Sequence, residues 1–440
     1  MALPQRQTKT AALASFIGTT IEWYDFYIYG LAAALVFGPL FFSGSSPYVA
    51  TLASFGTFAV GFFARPVGGL IFGHLGDKLG RKRILVVTLM MMGLATVGIG
   101  LLPTDAKVGI WAPIGLVVLR IFQGIAVGGE WGGAVLLAAE HAPQGRKTFF
   151  ASFAQLGSPA GLIIALLVFR LAGQLDQQAF LGWGWRIPFL LSIILLGVGL
   201  VIRLNVKESP EFEEIRRLKR QSAAPIPEVL RSWSGVILLA IGANTIGIAA
   251  AYLYNTFMIA YTTQYLHIPR TLILDALFIT AIVQFLVQPI AARISESFRN
   301  EKRFVQICLI WAIVAPYPLF LLVETRNFWA IVAGLGLNII GGASFYAVVA
   351  GYLAAIFPTR VRYTAISIAY QFCGAIFGGL TPLAGTVLAE NFKGQWLPLA
   401  VFGSVLAGLS LICSTLIWKY RVQNTDDATF VAARAAEAAP

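Results

Sequence analysis

Gly76-Asp77-Lys78-Leu79-Gly80-Arg81-Lys82-Arg83 is a short polar stretch between two long apolar ones. Four cations, one acid and two glycines in eight residues cannot lie in hydrocarbon. The glycines allow a tight reversal, and the cations hold that reversal on the cytoplasmic side of a membrane. The chain on either side is therefore read as a pair of membrane-spanning helices joined by this loop.

The bulk composition agrees. Of the 440 residues, 58% are hydrophobic and only 12% charged, with mean hydropathy +0.77. Soluble domains carry about twice that charged share. A net charge of +12 would suit a nucleic-acid binder, but the cations are distributed otherwise. About 24 of the 32 Lys and Arg fall on one side of the predicted spans, about four on the other and about four within them. That asymmetry sets topology, with both termini cytoplasmic. Cys308, Cys373 and Cys413 sit in apolar runs without metal-ligand or disulfide spacing, and His74, His141 and His267 are scattered. Neither a metal nor a cofactor is expected. The first apolar segment is too long for a cleavable signal core and carries Glu22 and Asp25, so it is expected to remain as a span.

Apolar runs long enough to cross the bilayer as helices recur near 12–40, 51–75, 84–102, 110–138, 148–172 and 185–204, then near 233–264, 272–294, 304–323, 328–356, 364–389 and 397–419. The expected fold is an all-α membrane protein of twelve helices in two six-helix bundles, 1–204 and 233–419. A cytoplasmic linker at 205–232 joins them, and a disordered cytoplasmic tail occupies 420–440. Within the linker, Phe212, Ile215 and Leu218 recur at a spacing that suits an amphipathic surface helix ended by Pro225 and Pro227. A weak repeat relates the two halves. Ala138-Ala139, Arg146, Thr148 and Gln155 are matched at a constant offset by Ala354-Ala355, Arg362, Thr364 and Gln371. Parallel repeats of this kind place a binding site between two bundles.

A charge at a helix centre costs about 2.5–3.5 kcal/mol on insertion, so each buried one needs a cavity or a partner. Glu22 and Asp25 share a face of the first span, with Tyr29 one turn on. Two carboxylates this close in a low-dielectric site rarely both ionise, which places one of them to carry a proton. Arg120 lies near the middle of the fourth span, followed by Gly124, Gly128 and Gly132 at four-residue spacing, a ladder for close helix approach. Its fixed charge suits either an anion or a neighbouring carboxylate; Glu130 is a further acid on this segment. Arg65, before Pro66 and Gly68-Gly69, binds an anionic substrate or pairs with Asp25, and the proline is expected to break the helix locally. The second half offers polar groups instead: Asn244, Tyr252, Asn255, Gln284, Asn338, Tyr370 and Gln371.

The basic loop resembles the signature loop of the major facilitator superfamily. Gly18 to Gly30 with Glu22, Asp25 and Tyr29, Arg65-Pro66, Arg120 with its glycines, Gly128-Gly129-Glu130-Trp131-Gly132-Gly133, Gly184-Trp185-Arg186-Ile187-Pro188-Phe189, Lys207-Glu208-Ser209-Pro210 and Phe357-Pro358-Thr359-Arg360-Val361-Arg362 together resemble its metabolite:proton symporter family. The first half is most similar to shikimate-type carriers. At 295–303 the second copy of the loop has lost its glycines, so the latch is expected to be stronger in the first half. The resemblance implies an inner-membrane symporter importing a small organic acid by alternating access, with the bilayer, the substrate and a proton as partners, no nucleic acid, and a monomeric state. It implies no catalytic residue. Proton coupling then falls to Asp25, Glu22, Arg120 and Glu130. Substrate contacts fall to Arg120, Arg65, Tyr29, Gln155, Asn244, Asn255 and Gln371, and the latch to Gly76, Asp77, Gly80 and Arg81. The alternatives are uptake of a zwitterionic osmolyte such as proline or betaine and, from another class, a membrane sensor. Residues 420–440 lack the heptads of osmosensing carriers, and the central linker is too short for a signalling domain.

Overall fold

The computed structural model describes residues 5–79, 81–128, 147–205, 231, 233–298, 301–354, 356–357 and 359–420. Among these the long helices are α1 (Gln5–Leu35), α2 (Pro47–Leu79), α3 (Arg81–Leu101), α4 (Trp111–Gly128), α5 (Lys147–Ala172) and α6 (Ile187–Asn205) in the first half. The second half has α7 (Ser234–Gln264), α8 (Arg270–Ser297), α9 (Glu301–Glu324), α10 (Phe328–Ala354), α11 (359–391) and α12 (Trp396–Ile417). Ten of them are long and apolar enough to cross a membrane. The other two are α1, which carries Glu22 and Asp25, and α3, which opens on three cations. The chain is a multi-pass membrane protein.

The helices pair in the same order in both halves. α1 packs on α5, α2 on α4 and α3 on α6; six helices later, α7 packs on α11, α8 on α10 and α9 on α12. The two bundles meet along α2–α11, α5–α8, α5–α10 and α1–α7. The stretch expected to be a loop is mostly helical, since α2 continues to Leu79 and α3 begins at Arg81, with one residue between them. Gly80, together with Glu130, Gly132 and most of the linker and tail, lies outside the described residues, as do the side chains of Asp77 and Arg81.

Lipid offers no hydrophobic drive between helices, so close backbone contact must supply the attraction. A Cβ on Gly68 would land on the Ile125 carbonyl, one on Gly124 on the Gly61 carbonyl, and one on Gly128 on the Arg65 carbonyl. This interlock also explains a departure from expectation. Pro66 does not break α2, which runs unbroken from Pro47 to Leu79 because α4 braces it on both sides of the proline. The irregular backbone lies in the second half instead, as π-helical turns at Tyr252–Phe257 in α7 and Gly374–Gly378 in α11. Gly128→Ala should lower the thermal stability of the purified protein, by about 1–3 kcal/mol as in other overpacked sites. An unchanged melting curve would contradict the α2–α4 contact.

Candidate functional site

Two buried arginines face each other around one aromatic ring. Arg120, the tenth residue of α4, is 0% exposed, and its guanidinium carbon sits 4.0 Å from the Tyr29 ring, 4.4 Å from Phe26 and 5.0 Å from Phe58. Arg65 is 3% exposed and lies 3.9 Å from the same Phe26 ring and 4.2 Å from Phe62. Neither has an ion-pair partner among the described residues, whereas Arg170 pairs with Asp275. The Nε atoms of Arg65 and Arg120 and Nη2 of Arg120 have no hydrogen-bond partner. Cation–π contact with desolvated rings contributes about 2 kcal/mol, whereas removing a guanidinium from water costs several. The rings offset only part of that penalty, so the arrangement favours an added anion.

Asp25, 1% exposed, forms no ion pair with either arginine. Its carboxylate accepts hydrogen bonds from Thr96 Oγ1 on α3 (2.8 Å) and Ser192 Oγ on α6 (3.0 Å). Arg120 nevertheless reaches it through a relay. Arg120 Nη1 donates to Gln123 Oε1 (2.9 Å), Gln123 Nε2 donates to Thr96 Oγ1 (2.6 Å), and Thr96 donates to Asp25. Every donor points toward the carboxylate, and bonds aligned this way polarise one another. The direct Arg65–Asp25 pair is therefore not formed. Tyr24 donates to the Pro188 carbonyl (2.7 Å) and Tyr27 bonds Ser158 (3.1 Å), so neither serves Asp25. Glu22 is buried one turn earlier on α1.

The facing wall comes from the second bundle. Tyr252, fully buried with an unpartnered hydroxyl, stacks on Trp23 (centroids 6.3 Å) and meets Phe58 and Phe62 edge-on (5.3 and 5.0 Å). Tyr346 meets Trp23 edge-on (6.4 Å) and bonds Tyr370 (3.3 Å). Asn255 reaches Tyr27 from the π-helical turn, and Asn244, at the break in α7, has both amide atoms unpartnered. Tyr29 is tied to α2 by a 2.7 Å bond to Thr57. Gln284 and Asn338 are buried on α8 and α10.

Gln155 and Gln371 turn the sequence repeat into geometry. Gln155 Nε2 on α5 donates to the Tyr346 carbonyl on α10 (3.2 Å), and Gln371 Nε2 on α11 donates to the Gly128 carbonyl on α4 (3.1 Å). Each glutamine thus crosses to the fourth helix of the opposite bundle. Gln371→Leu removes one such bond, worth about 1 kcal/mol, and should loosen α11 from α4. With Cys308 and Cys413 replaced by serine, alkylation of the buried Cys373 should then rise about fivefold. An unchanged rate would show that the bond does not hold the bundles together.

Residues 10–233 match the family described as "Sugar (and other) transporter", and residues 239–439 match "Major Facilitator Superfamily". The shikimate transporter of Escherichia coli (strain K12) is 38% identical over 415 residues, covering 93% of this chain and 94% of that one. The chain belongs to the major facilitator superfamily, within its metabolite:proton symporter family. The proline/betaine transporter of the same strain is 34% identical, covering 92% of this chain and 82% of the relative. Among solved structures, a D-xylose-proton symporter superposes with a TM-score of 0.72 at 17% identity, covering 94% of this chain and 98% of that one. That likeness establishes the two-bundle fold. By its family this carrier is a transporter and not an enzyme.

Several residues of this transporter's central site escape a reading of the sequence. Phe58 and Phe62 precede Arg65 at helical spacing, a stripe easily taken for core packing. Gln123, three residues after Arg120, carries the relay and could have been found from that spacing. Thr96 and Ser192 could not, because nothing local distinguishes them from other small polar residues in apolar helices.

Proposed function

We propose that this carrier imports a small organic carboxylate with protons across a bacterial inner membrane, with both termini cytoplasmic. Bundles at 1–204 and 233–419 rock as a monomer about the linker at 205–232. One observation carries the reading: two buried arginines without an ion-pair partner among the described residues, one of them wired by aligned hydrogen bonds to a buried carboxylate. The substrate carboxylate binds between Arg65 and Arg120, and Asp25 carries the proton. While Asp25 is ionised, the relay draws Arg120 toward Gln123. When Asp25 takes a proton, Thr96 can turn its hydroxyl to the Met92 carbonyl (3.0 Å), and the relay no longer ends on a charge, so it holds Arg120 less strongly against the pull of the substrate. Glu22 and Glu130 are the next carriers in line. Gln155, Gln371, Asn244 and Asn255 supply contacts when the bundles close.

The reading is tested by uptake of labelled shikimate, 2-oxoglutarate, citrate, proline and glycine betaine into proteoliposomes. Carboxylates lacking a cationic group should be taken up. A second reading, uptake of a betaine, draws on the Trp23, Tyr27, Tyr252 and Tyr346 rings, since aromatic walls suit a quaternary ammonium. Betaine uptake without uptake of any simple organic acid would favour it.

The latch sits in the basic loop, where Asp77 holds the first bundle against the second through neighbouring cations. Gly76 lies in the last turn of α2, Gly80 falls between α2 and α3, and Arg81 supplies charge. Asp77→Asn should slow net uptake at least tenfold while leaving the dissociation constant within about twofold. A collapse of binding with a normal turnover rate would remove the latch.

A further inference from the structure

A groove of about 750 Å³ opens on the membrane-facing side of the first bundle, between α2 and α4 at the end where α2 begins. Its walls are Val60 on α2 and Ile114, Val117 and Val118 on α4, and its mouth is the loop side of Asp105. Ile114 and Val118 are exposed, so the groove faces lipid laterally and not the bundle interface. Gly56 lies on its floor, and a Cβ there would meet nothing within 4 Å. The space is therefore real room beside the helix.

The polar end has a defined charge pattern. Asp105 Oδ2 accepts bonds from the Ser43 amide (3.0 Å) and hydroxyl (2.7 Å), which fix the carboxylate at the mouth. An ionised carboxylate accepts about four hydrogen bonds, so capacity remains. An anion above an apolar slot complements a headgroup that carries an ammonium. A primary ammonium can donate hydrogen bonds to Asp105; a trimethylated one cannot.

We propose that this groove is a binding site for a phosphatidylethanolamine. One acyl chain lies between Val60 and Val118, and the ammonium pairs with Asp105. The groove lies one side chain from the central site. Thr57 forms part of its wall and accepts the Tyr29 hydroxyl bond, and the Tyr29 ring lies under Arg120.

The test is native mass spectrometry of the delipidated full chain, titrated with phosphatidylethanolamine, phosphatidylcholine and phosphatidylglycerol of identical acyl chains. The first phosphatidylethanolamine should bind about three- to fivefold more tightly than the other two, the range of one partly exposed ion pair. Asp105→Asn, which can still accept the Ser43 bonds, should abolish that preference while lipid still binds. Gly56→Phe fills the groove and should remove the tight equivalent of all three lipids. Gly56→Leu, a smaller filler, should weaken it and serves if the phenylalanine variant does not fold. The proposal is overturned if phosphatidylglycerol binds as tightly as phosphatidylethanolamine, if Asp105→Asn keeps the preference, or if a folded Gly56 filler keeps the tight site.

Discussion

Asp25→Asn protein should exchange labelled substrate across a vesicle membrane at near wild-type rate, yet fail to concentrate it when only a pH gradient is imposed. Accumulation should fall from the wild-type level to the equilibrium level, a loss of the whole driving force. The geometry explains why the two activities separate. The substituted asparagine can still accept the Thr96 bond, so the packing among α1, α3 and α6 survives. It cannot ionise, so the Arg120–Gln123–Thr96 relay ends on a permanently neutral group that mimics the protonated state. Binding is then uncoupled from the gradient. If Asp25→Asn still concentrates substrate, the proton is carried elsewhere, and Glu22→Gln and Glu130→Gln become the variants to compare.

Arg120→Lys should weaken carboxylate binding about 10- to 100-fold, with little change in protein stability. Lysine keeps the charge but loses the planar fork that can hold two carboxylate oxygens while bonding Gln123. Charged hydrogen bonds are worth about 1.5–3 kcal/mol each, which gives that range. An ammonium also lies less well between the rings of Tyr29 and Phe26. Arg65→Lys should have a smaller effect, because none of its nitrogens joins the relay to Asp25. Equal affinity in the Arg120→Lys and wild-type proteins, measured by equilibrium binding, would take Arg120 out of the site.

Span positions are largely legible in the sequence because bilayer thickness leaves little freedom. The run at 328–356 becomes Phe328–Ala354, and the run at 148–172 becomes Lys147–Ala172. The first run, 12–40, merges two elements, since α1 begins at Gln5 and ends at Leu35 and a separate short helix follows at Phe37–Phe41. The offset between Gln155 and Gln371 foreshadows their crossed hydrogen bonds, because duplicated helices meet the opposite bundle in the same way. Backbone irregularity is less legible. Pro66 signals a break that helix packing suppresses, while the π-helical turn at Gly374–Gly378 arises where glycine backbone must pass close to Phe62 of the other bundle. The Asp25 site is legible only as a carboxylate on an apolar helix. Its partners come from α3 and α6, and one from each of two distant helices leaves no local pattern to read.

Proton movement is the central claim, and it can be watched directly. Purified protein is reconstituted into vesicles holding a pH-sensitive dye, with no pH gradient and potassium with valinomycin clamping the potential. Addition of the carboxylate that wild-type protein accumulates should acidify the lumen in step with its uptake, and Asp25→Asn should take up the same compound downhill without acidification. Uptake by the wild-type protein with no change in luminal pH would contradict proton-coupled transport.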